Sequence, residues 1–421
     1  MPIEYDPFSE SARIDPFPAY KQLRDEAPVY WCERMGAWFV SRYRDARDVL
    51  TRPDLFSSDA MMSTMLGIPP GTDLTKDPRL LQQMMQLAQA FQFGGEAGAG
   101  IPATLITADP PKHDHLRAIV NRGFTPRRVA DWDARIRTIV DELMARLASE
   151  PRFDVVGDFA VPFPMTVIAE MLGVEPERRK DFKRWTDGIV GGLTGAGQRA
   201  GVIEGGFATS IAELGEYLRV AAEDRRDHPQ DDLISVLVRS QEEEVLTPTE
   251  TVVFGIVLLV AGNETTTNLI GSTVNQLLEH PAELQMAVDD PSLIPNVVEE
   301  ALRTQSPVQH VFRRATREVE IAGQRLPENS IVGVMLGAAN RDERQFADPD
   351  RFDITRDASG HLAFGFGIHF CLGASLARME ARAAFEALVP ELPTLERTGE
   401  REYGDSYLFR GLRRLELRRR A

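Results

Sequence analysis

A mainly helical fold with a smaller β portion is what this sequence predicts, and three observations carry that reading. Apolar residues recur at helical spacing over most of the chain from Pro111 onward. Thr247-Pro248-Thr249-Glu250 is a helix start, with Thr247 as cap, Pro248 in the first turn and Glu250 completing a capping box; a long helix should follow to about His280. Strand-like alternation is confined to a few short stretches.

In chain order, Phe17–Arg24 reads as a short helix, Pro28–Trp31 and Ala37–Val40 as a strand pair around Met35-Gly36, and Tyr43–Leu50 as a helix. Residues 57–108 hold five of the thirteen methionines and two glycine clusters. A loop of that length serves either as an adaptable apolar surface or as an ordinary insertion. Helices are expected at His113–Arg122, Arg127–Ala148, Pro164–Leu172 and Arg178–Ile189. Eight glycines within 188–206 read as a flexible break. Helical spacing resumes at Phe207–Ala222, Asp232–Gln241, Pro281–Val288 and Ile294–Thr304. Val319–Ile321 and Ile331–Val334 alternate like strands, and the tail Tyr407–Arg420 alternates apolar and basic residues.

Composition limits the function. The 421 residues are 43% hydrophobic and 27% charged, enough for a large core and unlike a disordered chain. A net charge of −16 argues against nucleic-acid binding by bulk charge. Two cysteines cannot build a disulfide framework, which points to a reducing compartment. The N-terminus lacks the basic and apolar regions of a signal peptide, and the run Val252–Gly262 is too short to span a bilayer, so a cytoplasmic protein without a membrane anchor is expected. No repeat or linker marks a boundary, so residues 1–421 read as a single domain.

Phe364-Gly365-Phe366-Gly367-Ile368-His369-Phe370-Cys371-Leu372-Gly373 sets one cysteine in a glycine-rich bend directly before a helix-like run. The positive end of a helix favours thiolate over thiol, and a thiolate suits a metal. Glycines let the backbone lie close to a flat ligand. A His369–Cys371 protease dyad is a poorer reading, because residues two apart do not face each other suitably. Glu300 and Arg303 lie three apart on one helix face, where they can pair; taken alone they read as a surface salt bridge. Ala261-Gly262-Asn263-Glu264-Thr265-Thr266 interrupts an apolar helix with consecutive polar residues, and its bland reading is a polar face. His113 and Arg117, four apart, can both donate to carboxylates.

Together these segments resemble the cytochrome P-450 family across essentially the whole chain. Phe364, Gly367, Cys371 and Gly373 match the haem signature Phe-x-x-Gly-x-x-x-Cys-x-Gly without a mismatch. The resemblance implies haem b (iron protoporphyrin IX) with Cys371 as the iron ligand, in a triangular helical bundle with a long central helix and a small N-terminal β-rich lobe. It implies that Glu264 and Thr265, beside Ala261 and Gly262, deliver protons for oxygen activation. His113, Arg117, Arg313 and His369 would meet the haem propionates, with Arg314 pointing the other way. Glu300, Arg303 and Arg351 would form a buried network that supports the cysteine loop. The implied reaction is a monooxygenation: one atom of O₂ enters a C–H or C=C bond of a hydrophobic molecule such as a steroid, terpenoid, fatty acid or polyketide. Electrons would come from a separate ferredoxin or flavodoxin with its reductase, and so indirectly from NAD(P)H. Lys112–Arg128, with five basic residues and one acidic, suits an acidic donor. Leu258, Ala261, Val308, Phe312, Leu408 and Phe409, with loops 57–108 and 185–207, are the expected substrate walls. A monomer is expected. A peroxide-driven peroxygenase and a non-catalytic haem sensor are the alternatives, and an intact Glu264-Thr265 pair argues against both.

Overall fold

The Glu250 amide donates to Thr247 Oγ1 at 3.1 Å and the Thr247 amide to Glu250 Oε2 at 2.9 Å. This capping box opens the central helix, Pro248–Glu279, of 32 residues and so about 48 Å in length. The computed structural model describes residues 3–61, 85, 102–194, 206–242, 246–399 and 401–420. Among them this is the one helix long and apolar enough to cross a membrane, but 61% of its most apolar window is buried inside the protein. It is a core helix, with an apolar stretch longer than the run Val252–Gly262 alone indicates.

The chain divides into two compact units. The first comprises 1–56, 129–164 and 264–421. Strands β1 (Val29–Cys32) and β2 (Ala37–Val40) pair antiparallel with Cys32 opposite Ala37, the hairpin expected around Gly36. Further strands are β3 (Phe56–Ser57), β4 (Arg152–Asp154), β5 (His310–Ala315), β6 (Val319–Ile321), β7 (Gln324–Leu326) and β8 (Ile331–Met335). The main sheet runs β1-β2-β8-β5-β3. Strand β8 is buried at every position, as a strand covered on both faces must be. Helix Tyr43–Thr51 packs Tyr43, Ala46, Val49 and Leu50 into the cluster under this sheet, which reaches Leu362 and touches Phe366. The alternating tail becomes β11 (Leu412–Arg414) and β12 (Glu416–Arg419), after β9 (Leu395–Arg397) and β10 (Glu402–Tyr403); β12 lies between β4 and β9.

The second unit, 57–128 and 165–263, is helical. Helix Phe207–Asp227 carries Arg225, whose buried guanidinium donates to Asp232 Oδ2 at 2.8 Å and to the Gly173 carbonyl at 3.3 Å. Helix Arg179–Thr194 runs through the first glycines expected to break it. A Cβ on Gly188 would fall 2.1 Å from Ser210 Oγ, and one on Gly192 2.5 Å from the Phe207 ring. Spaced four apart, these two glycines are contact points for the neighbouring helix rather than a hinge. Residues 195–205, and nearly all of 62–101, lie outside the described residues.

The single helix expected over Arg127–Ala148 is two, Pro126–Asp131 and Asp133–Ala148. The Trp132 amide reaches back only three residues, to the Val129 carbonyl at 3.1 Å, and that tight turn ends the first helix.

Candidate haem-thiolate site

The loop around Cys371 is held at both ends. The Leu362 amide donates to Asn340 Oδ1 at 2.6 Å, the Gly365 amide to the Leu362 carbonyl at 2.8 Å, and the Cys371 amide to the Phe364 carbonyl at 2.9 Å. Gly365 and Gly367 have φ of 69° and 73°, the left-handed region where a Cβ is strained. A Cβ on Gly367 would also stand 2.5 Å from the Leu50 carbonyl, so glycine is required there for packing as well as for backbone angle. Gly373 caps helix Ala374–Leu388, and a Cβ there would meet nothing within 4 Å. Cys371 is half-buried at this helix start. Cys32, by contrast, is buried in β1; burial pushes its thiol up, and it is unsuited to act as a thiolate.

Behind the loop, Glu300 and Arg303 are 0% exposed and pair through two parallel bonds of 2.8 Å. The Arg303 guanidinium also donates to the carbonyls of Asn340, Pro349 and Arg351. The expected third side chain is corrected: Arg351 is exposed and contributes only its carbonyl. Arg356 takes its place, with Nε 3.2 Å from Glu300 Oε1. The Asp353 amide also donates to Glu300 (3.0 Å), and the chain then turns over Asp353–Arg356, closed by the Arg356 amide on the Asp353 carbonyl at 3.1 Å, which brings Arg356 inward.

Along the central helix, Val257, Leu258, Gly262, Glu264 and Thr265 are half-buried and Ala261 is exposed, in a helix otherwise largely buried. These positions recur at three and four, so one stripe stays open. Burial pushes the Glu264 carboxyl up, opposed by a hydrogen bond from Asn268 Nδ2 at 3.1 Å. Glu380 escaped the sequence reading. It lies on the apolar face of helix Ala374–Leu388, four residues after Leu376, and that misplaced charge was the available signal. Burial pushes it to about 8, against a hydrogen bond with the neighbouring Thr266.

His113 is buried in helix Lys112–Asn121, its Nδ1 3.0 Å from Asp114 Oδ1. Arg117 is half-buried one turn on, and His115, off that face, is exposed. Arg313 is buried in β5, while Arg314 bonds outward to Asn329 Oδ1 at 2.9 Å, as alternation requires. His369, half-buried, ends a short turn before Cys371. Cys371, Glu264, Thr265, Arg313 and His369 thus belong to the first unit; His113, Arg117, Ala261 and Gly262 belong to the second.

Two of the expected substrate walls are corrected. The Phe312 ring is fully buried beside Phe39 and Tyr407, at 6.1 and 6.3 Å, on the strand face opposite Arg313. Leu408 is likewise in the core. Val311, half-buried on the Arg313 face, packs against the cluster under the main sheet. Val308 and Phe409, half-buried, form a bridge between their segments, and Leu258 and Ala261 stay on the open stripe. The basic segment is less cationic than its sequence, since Lys112 pairs with Glu250 at 2.8 Å and Arg128 with Asp231.

The cytochrome P450 family model matches residues 210–392. Vitamin D(3) 25-hydroxylase of Pseudonocardia autotrophica is 38% identical, over 98% of this chain and 96% of its own. A cytochrome P450 structure from Chondromyces apiculatus superposes with TM-score 0.85 at 38% identity, covering 100% of this chain and 99% of that one. One from Bacillus megaterium in complex with corticosterone gives 0.81 at 35%, covering 98% and 100%. This chain belongs to the cytochrome P450 family.

As a P450 it is an oxidoreductase of a family that uses haem and O₂. The described residues fit that group. The loop leaves the side of Gly373 open, and its half-buried thiol stands ahead of a helix. Gly262, on the central helix, would place a Cβ no nearer than 3.8 Å to Ile168, in ordinary contact. Within the first unit, a P450 haem would be held by Cys371, with Arg313 as a buried donor for its carboxylates.

Proposed function

We propose that this P450 inserts one oxygen atom of O₂ into a C–H or C=C bond of a large hydrophobic substrate, a sterol or related lipid foremost. A substrate RH, O₂, two electrons and two protons become ROH and water. Haem, when bound, supplies the oxygen chemistry; the chain supplies its ligand, a dry site and control of protons. The observation that carries this reading is the Cys371 loop: a half-buried thiol in a backbone turn closed on Phe364, at the start of a helix.

Two acids and two hydroxyls on or against the central helix are the proposed proton-handling groups. Glu264, its carboxyl raised by burial, and Thr265 occupy the open stripe. Glu380, raised to about 8 by burial, carries a proton at neutral pH and bonds the next residue, Thr266. Acid and hydroxyl groups so arranged can pass a proton inward while the helix excludes bulk water. Leu258 and Ala261 of the second unit, and Val308 and Phe409 of the first, are the apolar residues assigned to the substrate; the name of one relative specifies vitamin D(3), and one similar structure holds corticosterone. His113, Arg117, Arg313 and His369 are assigned to the propionates, and the two compact units are read as parts of one P450 domain. Electrons come from a separate ferredoxin or flavodoxin with its reductase. Of the five basic residues of Lys112–Arg128, Lys112 and Arg128 are in ion pairs, and the segment remains the proposed face for an acidic donor.

The test is the spectrum of the dithionite-reduced holoprotein with carbon monoxide. A strongly red-shifted carbonyl band, absent in Cys371→Ala, is expected; a histidine-like band overturns the assignment. Titration with vitamin D₃, corticosterone and a long-chain fatty acid should move the ferric spectrum from low to high spin for the preferred class. In Thr265→Ala, electron use should exceed product several-fold, whereas a peroxygenase would turn over with peroxide unaffected by that change.

A further inference from the structure

The Phe364 ring, whose carbonyl accepts the Cys371 amide, sits inside a second polar cluster that the haem signature does not include. The Arg378 guanidinium stands over the ring at 4.5 Å, the His361 ring lies 5.9 Å away, and Phe370 meets it edge-on at 6.3 Å. Both Arg378 and His361 are tied to one carboxylate, Glu299. Arg378 donates through Nε at 2.6 Å and Nη2 at 2.9 Å, and His361 Nε2 lies 3.1 Å from Glu299 Oε2. The Ala363 amide donates to His361 Nδ1 at 3.2 Å, which leaves the ring proton on Nε2, facing Glu299. Glu299 therefore joins the two arms of the cysteine loop, one ending at His361 before the cysteine and one at Arg378 after it.

We propose that Glu299 is a positioning residue for the thiolate: through Arg378 and His361 it clasps the Phe364 ring and so sets the hydrogen bonding around the Cys371 sulfur. The proposal rests on Cys371 binding haem. The bidentate fork and the cation–ring stack restrict the guanidinium to one plane, which a simple surface salt bridge would not do. Fixing the ring fixes the Phe364 carbonyl, and with it the Cys371 amide. Hydrogen bonds around a ligating sulfur set the potential of the iron it holds.

A double-mutant cycle on the holoprotein tests this, with Glu299→Gln, Phe364→Leu and the pair together. The readouts are midpoint potential and the carbon monoxide spectrum. At fixed poise, Glu299→Gln should change the ratio of reduced to oxidised protein by about threefold or more, with thiolate ligation retained. In the Phe364→Leu background the same substitution should change it far less. Should Glu299→Gln not retain haem, Arg378→Lys, which keeps the charge but loses the fork, reads the same cycle. Equal shifts in both backgrounds, the mark of a through-space charge effect, overturn the clasp, as does no shift with an intact thiolate spectrum. A histidine-like carbonyl band in the unsubstituted protein overturns the haem-thiolate assignment itself, and the clasp with it.

Discussion

In helix Ile294–Gln305 two consecutive carboxylates meet arginines: Glu300 faces Arg303 and Arg356, and Glu299 faces Arg378. Where the central helix meets helix Ala374–Leu388, Glu380 meets a threonine hydroxyl, that of Thr266, rather than an arginine among the described residues. Burial opposes ionisation of Glu299, but hydrogen bonds from Arg378 and His361 hold its carboxyl down to about 2. Burial raises Glu380 to about 8. Glu300 is as deeply buried as Glu380, so depth alone does not decide what a glutamate does here. The partner decides: guanidinium groups make a carboxylate into a structural tie, and a hydroxyl leaves it a proton carrier.

The largest expected effect lies in the arginine region. Glu300→Gln leaves buried Arg303 without its counter-charge and should cost about 3–5 kcal/mol in chemical denaturation of the holoprotein. A cost under about 1 kcal/mol would show that the carbonyl ring around Arg303 suffices, and the contrast with Glu380 would collapse.

Glu380→Gln sharpens the contrast through pH. Its folded-state value lies above the ordinary 4.5, so the folded protein holds the extra proton between about 4.5 and 8. Stability of the unsubstituted protein should therefore fall relative to the Gln variant as pH rises through that window, by at most about 1.4 kcal/mol per pH unit. Parallel pH–stability curves would mean that Glu380 ionises as freely when folded.

Smaller effects separate the two arginines. Arg356→Ala should cost about 1–3 kcal/mol, because it strips a donor from a buried carboxylate. Arg351→Ala should stay within about 0.5 kcal/mol, since only its carbonyl is used. The reverse order would restore Arg351 to the network. Glu299→Gln is also small, about 1 kcal/mol or less at neutral pH for a partly exposed cluster. That contribution is present above pH 4.5 and is lost as pH falls through about 2, because the folded carboxyl lies below its ordinary value. An acid-limb comparison of variant and parent checks it.

The sequence by itself determined what depends on neighbours along the chain. The capping box at Thr247 and Glu250, the hairpin at Gly36, the outward Arg314 and the glycine-bent loop before Cys371 need only a few consecutive residues, and each stands where the spacing put it. Tertiary structure alone decided the rest. Arg356 rather than Arg351 reaches Glu300, Phe312 turns into the aromatic core, and Gly188 and Gly192 receive a neighbouring helix instead of breaking their own. Glu380, a charge on the apolar face of its helix, becomes a buried acid where that face packs, with Thr266 of the central helix as its hydrogen-bond partner. The physical reason is common to all four. Spacing states which residues share a face of one element, but which face is covered, and by what charge, is set by segments distant in the chain.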